Sequence, residues 1–161
     1  MESLQKLKQT LTYMVEAHQQ LLRLAEEKRT ILVEGKAPEL QTIISKESKY
    51  TDLIQKLEAQ REAVLKAVLV EKGLVNQSLT IDQFIQTIDQ PLEKQFLAKT
   101  IGQLRKLVNE LIQLNKSNQE LIKMALSYIQ YSMNIIMPKE PSIGYGNKSH
   151  VRSAKLLDAK I

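Results

Sequence analysis

From Leu97 to Ile136 the chain repeats at alternating steps of four and three: Leu97, Ile101, Leu104, Val108, Leu111, Asn115, Asn118, Ile122, Ala125, Ile129, Ser132, Ile136. A seven-residue repeat divided in this way marks a seam along one long helix. Pro91 suits a first helical turn, where its missing N–H has no partner to lose, and Pro138 cannot continue the helix. The pattern therefore predicts a rod over 91–137, about 70 Å long from the rise per residue, and such a rod calls for an equally long partner.

Two earlier stretches carry the same spacing. Leu4, Leu7, Leu11, Met14, His18, Leu21, Ala25, Lys28 and Leu32 predict a helix over 2–33, ended by Gly35, which takes the left-handed backbone of a helix C-terminus at little cost. Leu40, Ile43, Glu47, Tyr50, Ile54, Leu57, Arg61, Val64 and Val68 predict a second over 38–72, opened by Pro38 and stopped by Gly73. A connection this short makes the two an antiparallel hairpin. Glu47 and Arg61 stand where apolar residues are expected, so each calls for a polar partner or marks the end of the buried stripe. Between 74 and 90, Thr80-Ile-Asp-Gln83 has the form of a capping box. It starts a short helix over 81–88, with Phe84, Ile85 and Ile88 on one side as an apolar plug. The expected fold is all-α: an elongated antiparallel three-helix coiled-coil-like bundle with a short fourth helix.

Composition supports this. Aromatics are 4% of 161 residues, and five Gly and four Pro leave little turn material. Cysteine is absent, which removes disulfides and thiolate metal sites and fits a reducing cytoplasm. No run approaches the length of a membrane span, and the amphipathic start is unlike a signal peptide. The only histidines, His18 and His150, lie far apart, and His18 on a seam reads as a packed or hydrogen-bonded core residue. Glu26 and Glu27 are adjacent on a helix and point apart, as on a solvated face. No catalytic, cofactor or metal site emerges, and the chain does not read as an enzyme.

The net charge is +5, of which residues 138–161 supply +3 through Lys139, Lys148, Arg152, Lys155 and Lys160 against Glu140 and Asp158. Cations neither line one helix face nor alternate with stacking aromatics, which argues against nucleic acid. The long helix has a second apolar row, Leu107, Leu111, Leu114, Leu121, Met124 and Tyr128, more than one seam consumes. A third helix or an outside partner can take it. Residues 124–137 hold three of the five methionines and two of the five tyrosines, which suits either plain core or an adaptable binding surface. Beyond a helical domain of residues 1–137, the Pro- and Gly-bearing tail 138–161 is expected to be disordered. Within it Val151, Ala154, Leu157 and Ile161 keep helical spacing, so its last segment can fold on binding as a short basic amphipathic helix.

Leu114-Asn115-Lys-Ser-Asn118-Gln-Glu-Leu121-Ile122 on the long last helix, followed past its end by a Pro-bearing linker and Tyr145-Gly146, resembles the FlgN family of flagellar export chaperones. Glu27-Lys28-Arg29 before Leu32, and Glu47 with Glu58-x-x-Arg61, are similar to the same family. The resemblance implies a cytoplasmic protein that binds hook–filament junction proteins (hook-associated proteins), keeps their C-terminal helical segments from assembling early, and delivers them to the flagellar type III export gate. Carried to this chain, it implies client binding by Asn118, Leu121, Ile122, Met124, Ala125, Tyr128, Ile129, Tyr131 and Met133, and gate docking by Tyr145 and Gly146. This chain is basic where many type III chaperones are acidic, so charge complementarity does not carry over.

Two other readings stay open at this level. The surplus apolar face can instead serve a self-associating structural coiled coil with no client, and a homodimer is compatible with either role. The basic tail can anchor the chain to nucleic acid or an anionic membrane, which would make binding steeply salt-dependent.

Overall fold

The computed structural model describes residues 1–75 and 78–137, and every regular element among them is helical. In chain order these are α1 (Glu2–Glu34), α2 (Ala37–Glu71), α3 (Ile81–Gln86) and α4 (Pro91–Ile136). Both glycine stops act through positive φ, Gly35 at 70° and Gly73 at 72°. At each, the following residue reaches back five positions: Lys36 N–H donates to Ile31 O at 3.1 Å and Leu74 N–H to Leu69 O at 2.9 Å. These are Schellman closures, which satisfy carbonyls that a helix end leaves bare. The capping box at Thr80 forms both of its bonds, Thr80 N–H to Gln83 Oε1 at 2.9 Å and Gln83 N–H to Thr80 Oγ1 at 3.3 Å.

α1 is the central element. It packs on α2 along one side and on α4 along another, whereas α2 and α4 share no comparable backbone contact. α2 returns antiparallel, with Ser3 Oγ donating to Glu71 Oε1 at one end of the hairpin and Lys28 Nζ to Glu47 Oε2 at 3.0 Å near the other. α4 again reverses and so runs parallel to α1, as the Lys8–Glu93 ion pair at 2.7 Å and the bond from Asn118 to Ala25 show. The all-α bundle with a short extra helix is thus the architecture formed.

The main core joins all four elements: Leu7, Leu11 and Met14 of α1, Leu57 and Val68 of α2, Phe84 and Ile85 of α3, and Leu97 and Ile101 of α4. Phe84 and Ile85, with Ile88 just beyond, are the plug that closes this end, and Arg105 holds α3 in place through two bonds to Asp82, at 3.1 and 2.9 Å. That guanidinium keeps the Asp82 carboxyl below the usual carboxylate range. A second, smaller cluster, Leu24, Ile31 and Ile43, belongs to the α1–α2 hairpin and contains no α4 residue.

Two expectations are corrected. The α4 seam rotates: Leu107 is buried and Leu114 half-buried, while Val108 is only half-buried and Asn115 exposed. The second apolar row thus takes over the contact with α1 as the two helices wind past each other. Among the described residues α4 has no partner of equal length either, since α1 has 33 residues, α2 has 35 and α4 has 46.

Phe84 is 2% exposed in a core to which all four helices contribute. Phe84→Ala should therefore lower stability by about 3–5 kcal/mol, read as a lower urea midpoint in circular dichroism, and Thr80→Ala by about 1 kcal/mol.

Candidate binding surface at the end of α4

The seam between α1 and α4 closes on a polar clamp. Asn118, 1% exposed, donates Nδ2–H to the Ala25 carbonyl at 2.9 Å. One position earlier, Arg29 Nη1 donates to Ser117 Oγ at 2.7 Å. The second Asn118 side-chain atom, Oδ1, is buried without a hydrogen-bond partner. An asparagine at a helix seam sets register at some expense of stability, because its polar atoms fit only one alignment.

Beyond the clamp α4 outlasts α1. α1 has only residues 26–34 left after Ala25, while α4 has residues 119–136 left after Asn118. Leu121 and Ile122 are half-buried, and from Lys123 to Met137 every residue except the half-buried Ser132 is exposed. Exposure does not follow one face: Met124 is 68% exposed, Tyr128 71%, Tyr131 65% and Ile136 78%. About 20 Å of helix, by its rise per residue, is therefore apolar around most of its circumference and covered by nothing in this chain's described part. Lys123 is its only charged side chain. Large uncovered apolar surfaces are typical of places where a protein meets another protein or a membrane.

Of the nine positions implied as client-binding, the structure brings Leu121, Ile122, Met124, Ala125, Tyr128, Ile129, Tyr131 and Met133 onto this projecting end. Asn118 falls elsewhere: it is inside the α1–α4 seam, where it fixes the point at which α4 leaves the bundle. Tyr145 and Gly146, His150, and the helical spacing from Val151 to Ile161 lie outside the described residues.

The polar seam residues find partners. Glu47, out of place on its own helix, pairs with Lys28 of the α1 seam at 3.0 Å. Arg61 Nε donates to Glu58 Oε2 at 2.8 Å, and this bond holds the Glu58 carboxyl below its usual range. His18 donates Nδ1–H to the Met14 carbonyl at 2.6 Å inside the core. The Arg29–Ser117 bond was not legible, because the two positions are linked only by the parallel packing of α1 and α4. A groove of about 620 Å³ between α1 and α2, lined by Tyr13, Glu16, Gln20, Tyr50 and Leu53 among others, contains one carboxylate and no histidine. Among the described residues no group of three or more His, Asp or Glu could hold a metal ion, and no helix is long and apolar enough to cross a membrane.

The family model described as "FlgN protein" matches residues 1–152. A protein of Bacillus subtilis (strain 168), described as "Uncharacterized protein YvyG", is 30% identical over 150 residues, which cover 89% of each chain. No solved structure matches the chain.

Asn118→Asp should destabilise the chain by roughly 3 kcal/mol at neutral pH, because it buries a carboxylate facing a carbonyl with no donor. Burial raises the folded-state pKa of that acid, so the loss is present at high pH and shrinks as pH falls through the folded value, where the protonated acid can donate to Ala25. Urea unfolding of the variant from pH 4 to 8 checks the sign. Stability that changes with pH no differently from the parent chain would show that position 118 is not enclosed.

Proposed function

The chain belongs to the FlgN family of flagellar export chaperones, and on that premise we propose that the projecting end of α4 binds the C-terminal helical segments of hook-associated proteins before their export. The observation that carries this reading is the run of exposed Met, Tyr, Leu and Ile from Met124 to Met137, left over once α1 has been used up. A client's amphipathic helix laid along it would bury the same apolar face that drives assembly, so occupancy and prevention of early assembly are one event. Methionine suits such a surface because its unbranched, polarizable side chain adapts to differing partners. Leu121 and Ile122 form the base of the site, and Asn118 positions it without touching the client.

Handover needs no bond chemistry. In this proposal the client is held in the cytoplasm and passed to the flagellar type III export gate, where Tyr145 and Gly146 of the tail dock weakly and reversibly. The docking tyrosine is therefore separate from the client surface.

Calorimetric titration of the full chain with a C-terminal helical fragment of a hook-associated protein tests the first step. Saturable one-to-one binding with a negative heat-capacity change is expected. Met124→Asp combined with Tyr128→Asp should weaken binding at least about tenfold, since it places two charges within a desolvated contact, and should leave helicity unchanged because both positions are already exposed. Unaltered affinity in that variant would remove the assigned surface. Dimerisation through the same residues with no fragment binding would replace this reading by a self-associating scaffold.

Tyr145→Ala should leave fragment affinity as it is and reduce secretion of hook-associated proteins into the medium. Loss of fragment binding instead would place the tail in the client site.

A further inference from the structure

The exposed end of α4 carries an apolar arc wider than a single stripe. At about 100° per residue, Lys123, Ser127, Gln130 and Asn134 fall on one narrow strip. Apolar residues take most of the remainder, about 220° of the circumference from Leu126 round to Tyr131. Two exposed rows stand within that arc. Leu126, Ile129, Met133 and Ile136 form one, and Met124, Tyr128, Tyr131 and Ile135 form the other. The rows lie about 150° apart, with the small residues Ala125 and Ser132 between them. We infer that the end of α4 is flanked by two amphipathic helices of one client chain, one on each row. The inference rests on the client reading above and adds to it the form of the client.

Width, area and charge each favour this occupant. A helix packed on one neighbour needs an apolar stripe of about 100°, and the arc is twice as wide. α1 is already used in this way, since it packs on α2 along one side and on α4 along another while those two share no comparable backbone contact. A helix laid along one row over about 20 Å buries roughly 600 Å², counting both partners, given a helix diameter of about 11 Å. That falls short of the about 1,200 Å² at which specific, stable contacts begin, and two helices reach it. A second copy of the chain would cover one row of each α4 and leave the other in water, with the same shortfall. No side chain from Met124 to Met137 is ionised, so both client helices present uncharged faces to α4 and carry their charges on the far side.

The geometry also sets the size of the client segment. Rows nearly opposite each other place the two client axes about 18 Å apart, at the usual interaxial distance of about 8–10 Å from α4. Each helix needs about fourteen residues to match the exposed length, and the connection between them at least about six. Once the first helix docks, the second acts at an effective concentration on the order of millimolar.

The chain has no cysteine, so a single one can carry an environment-sensitive fluorophore. On saturation with the C-terminal helical fragment of a hook-associated protein, emission should shift to the blue from Tyr128→Cys and equally from Met133→Cys, and stay unchanged from Gln130→Cys on the polar strip. A shift from one row only, or from the polar strip as well, would overturn the inference. So would a blue shift at either row on concentrating the chain alone, which would make a second copy the occupant. Ile129→Asp with Met133→Asp should weaken fragment binding at least about tenfold, as Met124→Asp with Tyr128→Asp does on the other row. Unchanged affinity in either pair would leave a single row in use and overturn the two-helix arrangement, while the client assignment stands on the remaining row. A fragment that fails to bind the parent chain would overturn both together.

Discussion

α1 is shared between two longer helices, and the rest of the molecule follows from that constraint. α2 can match it end to end because a glycine-capped hairpin fixes its start and Lys28–Glu47 fixes its alignment. α4 enters at the other end, through the α3 plug, and runs parallel to α1. Once α1 turns at Gly35, α4 has nothing further to pack on. Its remaining apolar residues stay in water not through weak hydrophobicity but because their partner has ended.

The core is correspondingly uneven. Side chains of all four elements meet near the amino end of α1, whereas the second cluster belongs to the hairpin alone. Stability is therefore concentrated in the plugged end, and the opposite end is left to an exposed helix whose backbone bonds are made but whose side chains are not buried. Asn118 lies on the border. Its single bond to Ala25 and its unpartnered oxygen make the seam tolerate one register only, which determines how much of α4 projects.

An export chaperone benefits from this asymmetry. A rigid bundle presents a surface about 20 Å long whose hydrophobicity would be hazardous if it were flat and extended like a sheet edge. As a helix, it has satisfied its own backbone and can accept only side-chain packing.

The sequence by itself determined the helices, their stops and their local chemistry, because these depend on neighbours within a few residues. Seven-residue spacing marked each long helix, Gly35 and Gly73 marked the ends, and Thr80 with Gln83 marked the cap of α3. The apolar plug and the hydrogen-bonded His18 were legible for the same reason. Glu47 could be seen as misplaced, but its pairing with Lys28 required knowing that 28 and 47 lie level in the hairpin. Only the tertiary structure decided that Leu107 and Leu114 face α1 while Asn115 does not, since that depends on how the two helices wind past each other. Only it decided that of two seam asparagines Asn118 goes inside, and that α4 outruns its support. Those facts rest on where one helix ends relative to another, a relation between residues about ninety positions apart that no local pattern records.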